Sequence, residues 1–299
     1  MTDTSEEDPK GAWVPLDIDL GSITHPGLVR ENNEDRYVVM RFVRSLENLS
    51  SNVDESLLGK GYSLSGHLMF VADGMGGMAA GEIASSLALS KLIELMVQTS
   101  AWIMGIERER DARIVEARMR KRFFQIDETL KEEAIADPEL QGMGTTLTVV
   151  ATLGSDLVLA HVGDSRAYLL RGTTLTQLTT DHTLAQALVD AGIAKQNDPV
   201  VRSMRHVLTA AIGSLGDREP QVERFRLRSG DQVLLCTDGL TETVDDQLIV
   251  DVLSEARSAE SACQSLVDLA LAGGGTDNIT VVLARFSAPS ANGTRVKQD

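Results

Sequence analysis

An apolar run, 67–72, stops at Asp73-Gly74-Met75-Gly76-Gly77, and an amphipathic run, 82–99, begins just after it. That order reads as strand, tight turn, helix, with a carboxylate at the strand's end. Glycines let the turn take positive φ and let another group approach the backbone. An Asp placed there holds a cation or orients a base. Two chemistries compete for the turn. Gly74-Met75-Gly76-Gly77-Met78-Ala79 has the G-x-G-x-x-A form of a dinucleotide-binding turn. That motif needs an acidic residue about 20 positions on, at the end of a second strand. Glu94 has the spacing but lies inside the helical run, and Asp73 would face a pyrophosphate with like charge. The rival reading, a metal site, needs more carboxylates.

The chain supplies them in one repeated pattern. Asp238-Gly239 follows the apolar run 231–237, and Asp277-Asn278 introduces the run 279–286. Asp164 sits in a turn, Gly163-Asp164-Ser165-Arg166, between two strands. Glu34 and Asp35 close a polar cluster that starts at Arg30, whose guanidinium offers a fork to an anion. Any single Asp-Gly is ordinarily a plain turn; the set is what points to a site. Strand ends in a sheet sandwich gather at one edge, and carboxylates so gathered stay ionised only where cations neutralise them. Oxygen ligands without His or Cys suit Mg²⁺ or Mn²⁺ rather than zinc or copper. The five histidines have no metal-binding spacing, and His161 reads as a core residue of a strand. No G-x-S-x-G and no G-x-x-x-x-G-K-[ST] is present, so neither a serine triad on an elbow nor a P-loop is indicated.

The 299 residues are 42% apolar, enough for a substantial core, and the net charge of −16 excludes ready binding to nucleic acid or an anionic membrane. Cys236 and Cys263 form no C-x-x-C and read as buried thiols of a reducing compartment. The start of the chain lacks an apolar signal region and no apolar stretch reaches 18 residues, so a soluble, cytoplasmic protein is expected. Residues 1–12 read as disordered and 287–299 as a polar tail. Strands are predicted at 17–24, 37–43, 67–73, 145–152, 156–162, 167–170, 174–179, 231–237 and 279–286. Helices are predicted at 82–99, 108–136, 180–194, 244–256 and 259–271. Residues 44–66 read as an inserted loop and 195–205 as a flap.

Seven segments together resemble the protein phosphatase 2C (PP2C, or PPM) family in its compact bacterial form. They are Arg30-x-x-x-Glu34-Asp35, Val71-Ala72-Asp73-Gly74-Met75-Gly76-Gly77, Gly142-Met143-Gly144-Thr145-Thr146, Gly163-Asp164-Ser165-Arg166, Leu208-Thr209-Ala210-Ala211-Ile212-Gly213, Cys236-Thr237-Asp238-Gly239 and Gly275-Thr276-Asp277-Asn278. They occur in the family's order across 14–286. The resemblance implies an α+β fold: an α-β-β-α sandwich of two antiparallel sheets flanked by helix pairs, in one domain at 13–286. It implies metal-dependent hydrolysis of phosphoserine and phosphothreonine by a water activated between two Mn²⁺ or Mg²⁺ ions, with no phospho-enzyme. Asp73 is then expected to bridge both ions, with Asp238 and Asp277 completing the first. Glu34 and the Gly74 carbonyl serve the second, with Asp35 nearby, partly through water. Asp164 matches the ligand of a weaker third ion, and Arg30 the residue that binds substrate phosphate. The implied partners are phosphorylated proteins, the substrates of a serine/threonine kinase, and the chain is expected to act as a monomer.

Two positions depart from the wider family. Met75 lies where eukaryotic relatives carry a His that serves as candidate general acid, and Glu242 lies where some members place an Asp near the third ion. The rival functions keep the fold: a pseudophosphatase that binds without turnover, or a phosphatase dedicated to one regulatory partner. Loss of a metal Asp would mark the first, and none is lost.

Overall fold

Strand β3 (Tyr62–Met75) is apolar on both faces, and the layers follow from where each face is buried. Successive strand side chains point to opposite sides. Leu68, Phe70 and Ala72 pack on one side against Ala84, Ala88 and Leu92 of α1 (Ala80–Gln98) and Phe123 and Ile126 of α2 (Ala112–Ala136). Met69 and Val71 point the other way, into a core shared with a second sheet. The structure, a computed structural model, describes residues 16–46, 49–50, 52–53, 62–76, 80–98 and 112–289.

The first sheet joins β1 (Asp17–His25), β7 (Arg166–Arg171), β8 (Thr174–Gln177), β10 (Gln232–Cys236) and β11 (Ile279–Ser287) in the order β1-β11-β10-β7-β8. The second joins β2 (Asp35–Leu46), β3, β5 (Leu147–Leu153), β6 (Asp156–Val162) and β9 (Gln221–Arg226) in that order, with β4 (Gly144–Thr145) paired to β3 off the path. Every pairing is antiparallel. Val233, Leu235, Val282 and Ala284 of the first sheet meet Val150, Leu157 and Leu159 of the second. The outer face of the first sheet, Leu234, Cys236, Val281 and Leu283, is covered by α6 (Asp246–Glu255) and α7 (Ala259–Ala272). This is the expected α-β-β-α sandwich. Cys236 and Cys263 are free and buried, and burial pushes both thiols up to about 12. His161 is a core residue, with Nδ1 2.8 Å from Thr148 Oγ1 and Nε2 3.0 Å from the Gly163 carbonyl.

Several expectations need correction. Residues 44–46 and 62–66 are not loop but the outer arms of the β2–β3 hairpin, pairing from Arg44 opposite Leu64 to Leu46 opposite Tyr62. The helix expected over 180–194 is only α3 (Leu184–Asp190), because Thr183 caps it by accepting the Gln186 N–H at 3.2 Å. Gly192 at φ +67° lies just beyond its end. The 195–205 flap contains a short helix, α4 (Pro199–Ser203). Strand β9 and the one-turn helix α5 (Asp238–Thr241) carry no local signal. In β9 only Val222 is buried, so alternation is weak and the strand exists through its pairing with β6. The expected disorder of 1–12 lies outside the described residues, as does the tail beyond 289. Among the described residues no helix is long and apolar enough to cross a membrane.

Phe70 is fully buried where β3 meets both helices. Phe70→Ala is expected to cost about 3–5 kcal/mol of unfolding free energy in urea, with an unchanged denaturant slope.

Candidate active site

The strand registers carry every predicted carboxylate to one edge of the sandwich. Asp35 opens β2 directly opposite Asp73 near the end of β3, and Gly74 faces Thr145 of β4. Val162 at the end of β6 faces Leu147, so the Gly163-Asp164 turn leaves at the same edge. In the other sheet Cys236 lies opposite both Arg166 and Val281, which brings Asp238 and Asp277 to that edge too. A cleft of about 330 Å³ results, lined by Arg30, Glu34, Asp73, Gly74, Asp164, Asp238 and Asp277. Asp35 is the exception. It is buried below the cleft and does not line it, because β2 turns its side chain inward, where Oδ2 accepts from the Thr237 hydroxyl at 2.8 Å.

Neutral side chains fix this edge. Asn278 accepts the Glu34 N–H at 2.7 Å and donates at 2.9 Å to the carbonyls of Pro26 and Asn32. Thr146 Oγ1 accepts the Asp73 N–H at 2.9 Å, and Thr145 Oγ1 donates to the Asp73 carbonyl at 2.8 Å. Gly74 is required by contact: a Cβ there would strike the Gly81 carbonyl at the start of α1. Gly81 in turn leaves room for the Glu34 carboxylate, which a Cβ would meet. Arg30 donates to Asp277 Oδ2 at 2.7 Å and is half exposed, so it spans from a candidate ligand to the open cleft. Sequence reasoning assigned no role to Asn278, Thr146 or Thr237, although each lies in a quoted motif, Asn278 and Thr237 beside an Asp. It also passed over His206, which lines the cleft with Nδ1 3.1 Å from Glu242 Oε1. No spacing marks that pair; the fold brings together residues from different elements.

Crowding and burial drive the carboxyls toward their neutral forms. Burial, then the neighbouring carboxylates, raises Asp73, and burial raises Asp35 against the hydrogen bonds of Thr237 and Thr280. Burial, with the charges of Asp277 and Glu242, lifts Asp238 to about 6, and burial beside Asp238 lifts Asp164 to about 8. Burial also raises Glu34. Oδ1 of Asp35 and Oδ1 of Asp238 are buried without a hydrogen-bond donor. Anionic oxygens left undonated in so small a volume fit divalent cations as their missing partners.

The comparisons with known proteins decide the family. The family model described as protein phosphatase 2C matches residues 61–271. The chain belongs to the protein phosphatase 2C family. Serine/threonine protein phosphatase PstP of Mycobacterium tuberculosis is 35% identical over 273 residues, 91% of this chain, but the match spans only 46% of that relative. Serine/threonine phosphatase stp of Listeria welshimeri is 35% identical over 72% of this chain and 83% of its own. The solved catalytic domain of PstP, described as a complex with two manganese ions, superposes with a TM-score of 0.68 at 33% identity, covering 91% of this chain and 99% of that one. Within this protein phosphatase 2C fold, Asp238, His206 and Glu242 also form a cluster whose ligand atoms lie within 4.8 Å of one another.

Each raised carboxyl binds its proton more tightly folded than unfolded. The stability so gained is full below the ordinary carboxyl pKa near 4 and is lost as pH rises through about 6 to 8. In EDTA the melting temperature is therefore expected to fall between pH 5 and pH 8.5, and Mn²⁺ to restore it at the upper end; a flat profile indifferent to Mn²⁺ contradicts this account. Asn278→Ala is expected to weaken Mn²⁺ binding about tenfold by calorimetry while the fold persists, since Asn278 orients the Glu34 segment without touching the ion.

Proposed function

We propose that this chain hydrolyses phosphoserine and phosphothreonine in proteins with two divalent ions, Mn²⁺ or Mg²⁺, through a domain at 13–286. The observation that carries the reading is the convergence of Glu34, Asp73, Gly74, Asp238 and Asp277 on one cleft that also holds the Arg30 guanidinium. In this reading Asp73 would hold both ions, Asp238 and Asp277 would serve one of them, and Glu34 with the Gly74 carbonyl would serve the other. Asp35 supports them from below. Asp164 serves a weaker third ion, next to Asp238 and Glu242.

When bound, the ions supply an acidified water as nucleophile and positive charge for the phosphate. Arg30, now donating to Asp277 at 2.7 Å, would offer a fork of N–H donors to the non-bridging oxygens. The Thr146 hydroxyl is engaged, receiving the Asp73 N–H and lying 2.7 Å from Ser165 Oγ, which supports a reading of direct attack by water without a phospho-enzyme. Met75 lines the cleft, and its thioether carries no proton for the leaving oxygen.

A phosphothreonine peptide should be turned over with Mn²⁺, not with EDTA, and at least about 100-fold more slowly by Asp238→Asn, which keeps the shape and removes one ligand charge. In a single turnover in H₂¹⁸O the label should appear in released phosphate. Label on the protein's carboxylates would refute direct attack, and a folded, metal-loaded chain without turnover would favour a binding role.

A further inference from the structure

A second hollow of about 440 Å³ opens beside the first and shares Asp164, His206 and Asp238 with it, so the two are continuous. Of the carboxylates that line it, Asp181 is paired with a cation inside the hollow, while Asp164 and Asp238 belong to its wall with the first cleft. Arg166 holds Asp181 through Nε at 3.0 and 3.1 Å and Nη2 at 2.6 Å. Glu242 faces the His206 ring, and Asp246 sits in the first turn of α6. Arg202, on α4, and Arg205, just past it, reach into the same hollow. Among the described residues their guanidinium groups make no hydrogen bond and no ion pair, whereas Arg30, Arg36, Arg166 and Arg171 are each engaged by a carboxylate. Two uncommitted guanidinium groups directed into a cleft of a chain with net charge −16 call for an anion from outside.

We infer that this hollow is an anion subsite of the substrate groove, in which Arg202 and Arg205 hold a phosphate or carboxylate carried by the substrate two residues from the phosphoresidue under attack. The inference rests on the proposed phosphatase reading. In an extended peptide, residues two apart point to the same side and lie about 7 Å apart, so neighbouring side chains on that side can enter two hollows that share a wall. Planar guanidinium forks suit both phosphate and carboxylate. The favoured substrates are therefore protein segments with a second phosphoresidue, or a Glu or Asp, at that spacing.

The test compares kcat/KM for phosphothreonine peptides that carry Ala, Glu or phosphothreonine two positions away, on either side. For the wild type, the Glu and doubly phosphorylated peptides should exceed the Ala peptide by about tenfold, mainly through KM. Arg202→Ala/Arg205→Ala should erase that ratio and leave the Ala peptide unchanged, and the double Lys variant should keep part of it. The Glu and phosphothreonine arms separate the two anion sources. Equal rates in the wild type, or a preference that survives in the double Ala variant, would overturn the inference. Should no peptide be turned over, the phosphatase reading fails instead. Fluorescence anisotropy of the same labelled peptides on wild type and double variant then still decides the subsite: a shared lack of preference for the anionic peptides refutes it.

Discussion

Everything at the working edge of this molecule depends on holding like charges together. Glu34, Asp73, Asp164, Asp238 and Asp277 share one small cleft, with Asp35 directly beneath. Such a cluster is unfavourable by itself, and burial makes it worse. It persists because the rest of the fold leaves it no freedom to separate. Asp73 and Asp35 are opposed in a strand pair whose β3 member is packed on both faces, so moving either apart means shifting the register against a buried central strand. Asp238 and Asp277 are tied in the same way by β10 and β11.

The sandwich answers this demand with two rigid walls rather than one. Asp73, Asp164, Asp238 and Asp277 stand at the ends of β3, β6, β10 and β11, which are interior strands of the two sheets, and Glu34 precedes the edge strand β2. Neutral groups complete the scaffold: Thr145, Thr146 and Asn278 hold backbone beside the acids, and Thr237 holds the Asp35 carboxylate itself. Their hydroxyls and amide fix position without adding charge that would itself need a partner. Cations then relieve the repulsion that the scaffold maintains, so stability and metal occupancy are linked by the same carboxylates.

Much of this was legible in the chain. Strands with apolar residues on both faces, each ending in or introduced by an Asp, announce a buried sheet with acids at its edge, and the order of the motifs supplies the family. Three kinds of feature were hidden. Asp35 and Glu34 are adjacent, and nothing local shows that Glu34 lines the cleft while the Asp35 carboxylate is held by Thr237 from the other sheet. Edge strand β9 and the one-turn helix α5 have little pattern of their own and form through tertiary pairing. His206 and Glu242 meet only because the segment after α4 folds back over the cleft, so no local spacing could mark them.

The proposed function asks how so acidic a chain would bind a phosphate. At physiological salt the field of the distant carboxylates is screened within about 8 Å, so attraction has to be local. Without cations the cleft offers a phosphate only the part of Arg30 not engaged by Asp277, amid several acids. In the proposed reading, bound cations would neutralise the acids and leave Arg30 available to a phosphate. Phosphate affinity would then depend on metal occupancy, and by reciprocity phosphate would tighten the metals in turn. The same scaffold that makes the empty cleft repulsive would, in that reading, make a loaded cleft favour a doubly charged ligand.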